Sequence, residues 1–522
     1  MRRAPLPPAA KKRVAACASR QVRETPSFPR VTTSAFPTVA DPAAPPAPVD
    51  VRALAGALAG IVGPSHVLTR DASLLVYRSD GLPGLARDPA LAVFPGSRDE
   101  LVAVMRALAA VGAPFVARGA GTGLSGGALA DGVTLLGLHR LKRILAIDAE
   151  ARTATVEPGV VNASLTKAVA PFGLHYAPDP SSQTACTIGG NIAENAGGPH
   201  CLKYGVTLNH VLRATIVLPD GTVIPLDRGD DGGYDLLGAF VGSEGCFGVV
   251  ADVTVRLTPD PERVITLLAD FTSVRAAADA TSRIIAAGIL PAALELMDQA
   301  TIEAVESSIY AAGYPRDAAA VLLIEVDGAA AGLEEDAAAV ETECRGAGAR
   351  GVRVARDATE RARLWQGRKK AFGAMGRVSP HLAVQDAVVP RTQLADVLEE
   401  IQVIGARHGL RVCNVFHAGD GNLHPNIPYD AGDPEQSRHV HQAMREIMAR
   451  CIAAGGTITG EHGVGLDKLP YMDALLTAET LDAMCTLRDV FDPERRSNPG
   501  KVVPVRACKE WHGAASVRGG QA

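Results

Sequence analysis

The chain has 522 residues, 47% hydrophobic and 4% aromatic, with 52 Lys and Arg against 57 Asp and Glu for a formal net charge of −5. That length buries a substantial core and implies two or more domains. The mild negative charge argues against nucleic acid as a partner, and no uninterrupted apolar run is long enough to cross a bilayer. The nine cysteines are scattered without a C-x-x-C pair, which argues against a disulfide framework and against an iron–sulfur cluster on this chain. Redox chemistry here would need another cofactor.

Residues 1–50 are rich in Pro, Ala, Ser, Thr and Arg and read as a disordered extension. The stretch is Arg-rich and acid-poor like a transit peptide, but has neither a clear amphipathic pattern nor an apolar h-region. An ordinary extension, or a start codon set upstream of the true one, is the expectation. Order begins near Val51, where VRALAGALAGIVG has a helical pattern. LAVFPGSRDELVAVMRALAAVGAPFVARGAG reads strand, turn, helix, strand, with Ser97 as N-cap and Glu100 at the capping-box position. The helix stops at Gly112.

The strand from Pro114 runs into RGAGTGLSGGA, Arg118 to Ala128. Gly121, Gly123 and Gly126 form a formal G-x-G-x-x-G, but a Rossmann fingerprint must open a helix. Here the next regular element, VTLLGLHRL, looks like a strand. The loop instead suits an anion nest whose amides approach a pyrophosphate, or a pair of ordinary tight turns. Two strands, RILAIDAEARTATVEPGVV, and a helix, NASLTKAVAPFG, follow. Tyr176 to Gly205 is full of Pro, Gly, Ser and Asn and reads as a long irregular loop, a form that is usually functional. VLRATIVLPDGTVIPL is a hairpin turning at Asp220 and Gly221, and FVGSEGCFGVVADVTVRLTP is a glycine loop and a strand.

From Pro261 strands and helices alternate as in an antiparallel ferredoxin-like sheet. ERARLWQGRKKAFGAM is a helical stretch carrying Arg368, Lys369 and Lys370, which by itself fits a solvated basic face. VFHAGDGNLHPNI reads as a β-hairpin with His417 and His424 on either side of a turn at Gly419 to Gly421. TITGEHGVG sets Glu461 and His462 in a glycine-rich loop. Two imidazoles and a carboxylate can hold a divalent metal with positions left open, and the remaining histidine can act as a base near neutral pH. A turn with hydrogen-bonded histidines fits the hairpin alone equally well.

Taken in order, the Arg118–Ala128 loop, PDPSSQ…IGGNIAENAGG, GSEGCFGVV, HAGDGNLHP, GEHGVG and FDPERRSNPGK resemble the flavoproteins that oxidise D-2-hydroxy acids, and among them the glycolate oxidases. The likeness runs from about Val51 to Val505. It implies an α+β fold: a two-subdomain FAD-binding domain of the vanillyl-alcohol-oxidase type over 51–260, a substrate cap and metal-site domain over 261–505, and a tail over 506–522. It implies FAD lined by Arg118, Gly119, Gly121, Thr122, Gly123, Ser125, Gly126 and Gly127, by Pro178, Asp179, Ser182, Gly189, Gly190, Asn191 and Asn195, and by Glu244, Gly245 and Asn498. Relatives that tether FAD covalently carry histidine at the position of Thr122, so noncovalent FAD is expected.

The resemblance further implies that Arg368, in W-x-x-R, grips the substrate carboxylate, as a guanidinium fork suits. Relatives that oxidise hydroxyglutarate carry a basic residue at the position of Val384, which points here to a small monocarboxylate, glycolate or D-lactate. His417, His424 and Glu461 are then the metal ligands, with zinc the first choice and iron(II) or manganese also fitting. His462 is the base, and Asn426 contacts the ligands or the substrate. The implied partners are a second flavin-type subunit and an iron–sulfur subunit, with the chain cytoplasmic and reaching the inner membrane through them. The alternatives are a self-contained D-lactate dehydrogenase, a flavin-binding subunit that catalyses nothing, and a transferase on the same scaffold.

Overall fold

The computed structural model describes residues 49–229 and 233–503. The expected extension, apart from its last two residues, and the expected tail lie outside them.

Four strands form the first sheet: β1 (Val67–Leu68), β2 (Leu91–Val93), β3 (Phe115–Arg118) and β4 (Thr134–Gly137), in the order β1-β2-β4-β3. β4 runs parallel to both β2 and β3. Such strands are covered on both faces and so read as continuous apolar runs. Leu91, Val93 and Leu136 pack with the helices Val51–Val62 and Arg98–Ala110, while Ala92, Val116 and Leu135 face the other way. The second helix buries Leu101, Val104, Met105 and Leu108, the i, i+3, i+4, i+7 stripe of its sequence. Ser97 caps it by accepting from the Glu100 N–H at 3.1 Å, and Glu100 reaches back one residue beyond the cap, to the Gly96 N–H.

The second sheet is antiparallel: β5 (Ile144–Asp148), β6 (Thr153–Val156), β8 (Val211–Val217), β9 (Val223–Asp227) and β10 (Val249–Arg256), ordered β5-β6-β10-β8-β9. A small pair, β7 (Leu174–His175) and β11 (Thr258–Pro259), closes its end. The expected irregular loop 176–205 is interrupted. Ile188–Glu194 is a helix, capped by Thr187, whose Oγ1 accepts from the Gly190 N–H. Two glycines weaken the helical pattern there, but Gly189 is required by packing: a Cβ on it would lie 2.5 Å from Cβ of Pro158. Burial of Ile188 and Ile192 outweighs the poor local propensity.

The cap is built on a larger sheet. β12 (Arg263–Phe271), β13 (Ala293–Asp298), β14 (Ala320–Gly328) and β15 (Ala349–Val354) lie in the order β15-β12-β14-β13, all antiparallel, which is the expected ferredoxin-like arrangement. The short strands β16 (His381–Val384) and β17 (Ala387–Val388) follow, with β18 (Cys413–His417), β19 (Asn422–Leu423) and β20 (Pro425–Tyr429). β18 pairs with β13 and extends the sheet, and the hairpin β18–β19 closes at His417 opposite Asn422. On one face, Leu294, Leu296 and Phe416 pack with the helices Val274–Ala286, Leu333–Gly346 and Leu394–Arg407. On the other, Ala293, Met297 and Val415 pack with the helix Ala358–Lys369. Strand alternation places Glu295 and His417 on this second face.

The end of the described chain returns to the first sheet. Asn498 N–H donates to Phe115 O, and buried Lys501 donates through Nζ to Gly127 O and Leu129 O. Among the described residues no helix is long and apolar enough to cross a membrane.

Candidate active site

A cavity of about 670 Å³ lies where these parts meet, within the size range of small-molecule sites. Its wall takes Arg118, Gly119, Gly121, Thr122, Gly123 and Gly127 from the first glycine loop, Ser182, Gly189, Gly190 and Asn191 from the second segment, and Glu244 and Gly245 from the third. Arg118 folds back over its own loop and donates to Ser79 O at 2.8 Å. Gly121 has φ +68°, and a Cβ there would sit 2.2 Å from the Arg118 guanidinium; a Cβ on Gly123 would meet nothing within 4 Å. The loop is thus tight against the protein at Gly121 and open at Gly123, as a backbone cradle for a bound cofactor requires. Glu244, at φ +50°, accepts from the Val464 and Gly465 N–H groups at 2.7 and 2.8 Å, tying the GSEG loop to the GEHGVG loop.

The other expected FAD residues stand behind this wall. Ser125 accepts through its carbonyl from the Leu466 and Asp467 amides, and Gly126 packs under Leu466. Pro178 O accepts from Asn162 Nδ2, and Asn195 is the left-handed C-cap of Ile188–Glu194. Asp179 pairs with His200 and Lys369. Asn498 donates to Glu244 O. These residues shape the loops and do not line the cavity.

The same cavity is lined by Arg368, His417, His424, Glu461 and His462. His417 Nε2 lies 3.1 Å, and His424 Nε2 3.5 Å, from Glu461 Oε1. The three ligand atoms all fall within 4.8 Å of one another. His424 Nε2 is buried without a hydrogen-bond partner, which is costly unless a cation completes it. Two imidazole nitrogens, one of them without a hydrogen-bond partner, and a carboxylate oxygen fit a divalent metal. His462 stacks on His424 with ring centroids 4.8 Å apart, and burial pushes its pKa down to about 4, so it is neutral at pH 7. Burial alone would raise the Glu461 carboxyl, but His417 outweighs it and holds the group at about 2. Burial would lower His417, but Glu295 and Glu461 flank it and raise it well above the usual range. Asn426 is turned away: its Nδ2 donates to His424 O and Cys413 O, so it braces the turn that carries His424.

Glu295, Asp386 and Lys468, to which sequence reasoning gave no role, hold this set. Glu295 accepts from Arg368 and pairs with His417. Asp386, completely buried, accepts from Thr459 Oγ1, from the Gly460, Glu461 and His462 N–H groups, and from Lys468 Nζ. The available signal was a charge inside an apolar run: Glu295 between Leu294 and Leu296, Asp386 between strands β16 and β17.

Residues 89–227 match the family described as "FAD binding domain", and residues 260–502 the family described as "FAD linked oxidases, C-terminal domain". The chain is 44% identical over 459 residues to "Glycolate oxidase subunit GlcD" of Escherichia coli (strain K12), covering 87% of this chain and 92% of that protein. It is 31% identical over 454 residues to "D-lactate dehydrogenase" of Anaerostipes hadrus, covering 84% and 95%. A crystal structure of p-cresol methylhydroxylase with substrate bound superposes with a TM-score of 0.73 at 14% identity, over 87% of this chain and 96% of that one. That likeness shows the fold, an α+β architecture of the p-cresol methylhydroxylase type, in line with the FAD-binding fold that the resemblance implied.

Proposed function

The chain belongs to the family of FAD-linked oxidases that includes glycolate oxidase subunit GlcD and D-lactate dehydrogenase, and from that premise we propose that it oxidises glycolate to glyoxylate as the catalytic subunit of a glycolate oxidase. The observation that carries the reading is the cavity whose wall holds the glycine loops together with Arg368, His417, His424, Glu461 and His462. The glycine loops would hold FAD, which would supply the acceptor for the α-carbon hydride. His417, His424 and Glu461 would hold a divalent cation, with zinc the first choice, and it would supply there a Lewis acid that lowers the pKa of the substrate hydroxyl.

The chain's own groups orient the substrate and take its proton. Arg368 pairs with the carboxylate and fixes the α-carbon. His462 accepts the hydroxyl proton on its neutral imidazole. Thr122, in place of a tethering histidine, leaves FAD noncovalently held. Leu382 and Val384 make part of the wall apolar, so a monocarboxylate is favoured over a dicarboxylate. The same apolar wall accommodates the methyl group of D-lactate, which gives the second reading, a D-lactate dehydrogenase. The electrons pass to partners, a second flavin-type subunit and an iron–sulfur subunit, through which the chain reaches the inner membrane from the cytoplasm.

Anaerobic mixing of the metal-analysed holoprotein with glycolate, D-lactate, L-lactate and D-2-hydroxyglutarate tests this, with flavin bleaching as the readout. Fastest bleaching by glycolate is expected, and fastest bleaching by D-lactate selects the second reading. A flavin that none of the four bleaches would leave a non-catalytic flavin-binding subunit.

A further inference from the structure

We infer that Glu295 is a positioning residue that locks the metal-binding histidine and the carboxylate-binding arginine into one geometry. The inference rests on the function proposed above. Glu295 lies in mid-strand on β13, fully buried, directly across from His417 on β18. Each carboxylate oxygen has its own partner. Oε1 lies 2.7 Å from His417 Nδ1; Oε2 accepts from Arg368 Nε at 2.7 Å and pairs with Nη2 at 2.5 Å. Arg368 comes from the helix Ala358–Lys369, packed on the same face of the sheet.

Two consequences follow from the chemistry of a carboxylate, which accepts only. Facing Oε1, His417 Nδ1 must carry a proton, which leaves Nε2, 3.1 Å from Glu461 Oε1, as the nitrogen turned toward the ligand set. A histidine ligand is oriented and made more basic by such a partner. Facing Oε2, the guanidinium fork is fixed in rotation, so its remaining edge has one direction in which to meet a substrate carboxylate. A 2-hydroxy acid offers its hydroxyl and its carboxylate a fixed distance apart, and Glu295 sets the matching distance in the protein.

An amide cannot serve both sides. In Glu295→Gln, either the NH₂ group faces His417 Nδ1 and drives that ring's proton to Nε2, or it faces Arg368 and opposes the guanidinium. Both metal retention and substrate binding should suffer, although residue 295 touches neither ligand itself. Zinc titration of flavin-loaded wild type, Glu295→Gln and Glu295→Asp, with kcat and KM for glycolate, tests this. Zinc affinity should fall about 10- to 100-fold in Glu295→Gln, and KM should rise. Saturating zinc should restore kcat but not KM, a split that general destabilisation would not produce. Glu295→Asp keeps the charge and should lie between, which preserves the test if the glutamine variant does not fold. A wild type that binds no equivalent of metal would overturn the metal reading and this inference together. A wild type that binds one equivalent, with either variant matching it in zinc affinity and KM, would overturn the inference alone.

Discussion

Lys468 Nζ and Asp386 Oδ2 form a salt bridge of 3.0 Å with both side chains at most 2% exposed. The pair lies beneath the loop that carries Glu461 and His462. Burial would raise the Asp386 carboxyl, but Lys468 above all outweighs it and holds the group well below its ordinary range. Asp386 is therefore an anion at every working pH, and the amides of Gly460, Glu461 and His462 converge on it as on a bound anion.

Removing one partner of such a pair leaves a buried charge uncompensated, at a cost of about 3–5 kcal/mol. Lys468→Met should accordingly lower the melting temperature and slow flavin reduction together, because the loop that orients His462 loses its anchor. Thermal melts and anaerobic reduction rates check this. A variant with wild-type melting and a slowed reaction would show that Lys468 acts on the substrate directly.

Gly121 and Gly123 should separate folding from cofactor binding. At φ +68°, alanine at 121 costs about 1–2 kcal/mol in backbone strain and also meets Arg118, so Gly121→Ala should destabilise the flavin-free protein. Gly123→Ala meets nothing in the protein and should melt like wild type without flavin, yet hold less FAD, because its new methyl projects into the cavity. The flavin-to-protein absorbance ratio after gel filtration reports the second effect, and full FAD occupancy in Gly123→Ala would contradict the cradle.

The cap sheet and the hairpin were legible in the sequence because alternation and turn chemistry are local. Leu294, Leu296 and Phe416 announce a buried face, and Gly419 to Gly421 announce the turn. The role of Glu295 was not legible, because its meaning depends on His417, 122 residues away, pairing opposite it across two strands. The helix Ile188–Glu194 was hidden for the opposite reason: Gly189 serves close packing on Pro158, and two adjacent glycines read as a loop by local propensity. The glycine loops pointed to a ligand, but only the fold shows which of their residues line the cavity and which, such as Asn195 and Asn498, brace the loops.

His200 should give a pH-dependent stability term. Its Nδ1 is 2.9 Å from Asp179 and its Nε2 3.5 Å from Glu325. Burial would lower its pKa from 6.5, but the two carboxylates outweigh that and raise it to about 10. Because the folded value is the higher one, its stabilisation is full below about pH 6.5 and is lost as the pH rises through 10. Asp179 and Glu325 are held below their ordinary values despite burial, so their share is lost only as the pH falls below the carboxylate range. The melting difference between wild type and His200→Gln should shrink steadily from pH 6 to pH 10. A difference constant over that range would contradict the assignment.

Val384 should govern the choice between one and two substrate carboxylates. It lines the cavity at the end of β16, beside Leu382. Val384→Arg should raise kcat/KM for D-2-hydroxyglutarate and lower it for glycolate, by at least tenfold in the ratio, since a charge-assisted pair at a desolvated site is worth about 1.5–3 kcal/mol. An unchanged ratio would place the distal end of the substrate elsewhere.

On the proposed function, His462 and a metal held by His417, His424 and Glu461 act on the substrate while the glycine loops hold FAD. The most direct test is the rate of anaerobic flavin reduction by glycolate in three preparations of equal FAD content: wild type, chelator-treated wild type and His462→Asn. Rapid bleaching in the first, a loss of at least 100-fold in the other two, and recovery of the chelated sample on adding zinc or manganese are predicted. Bleaching that persists at the wild-type rate after chelation or in His462→Asn would contradict the account.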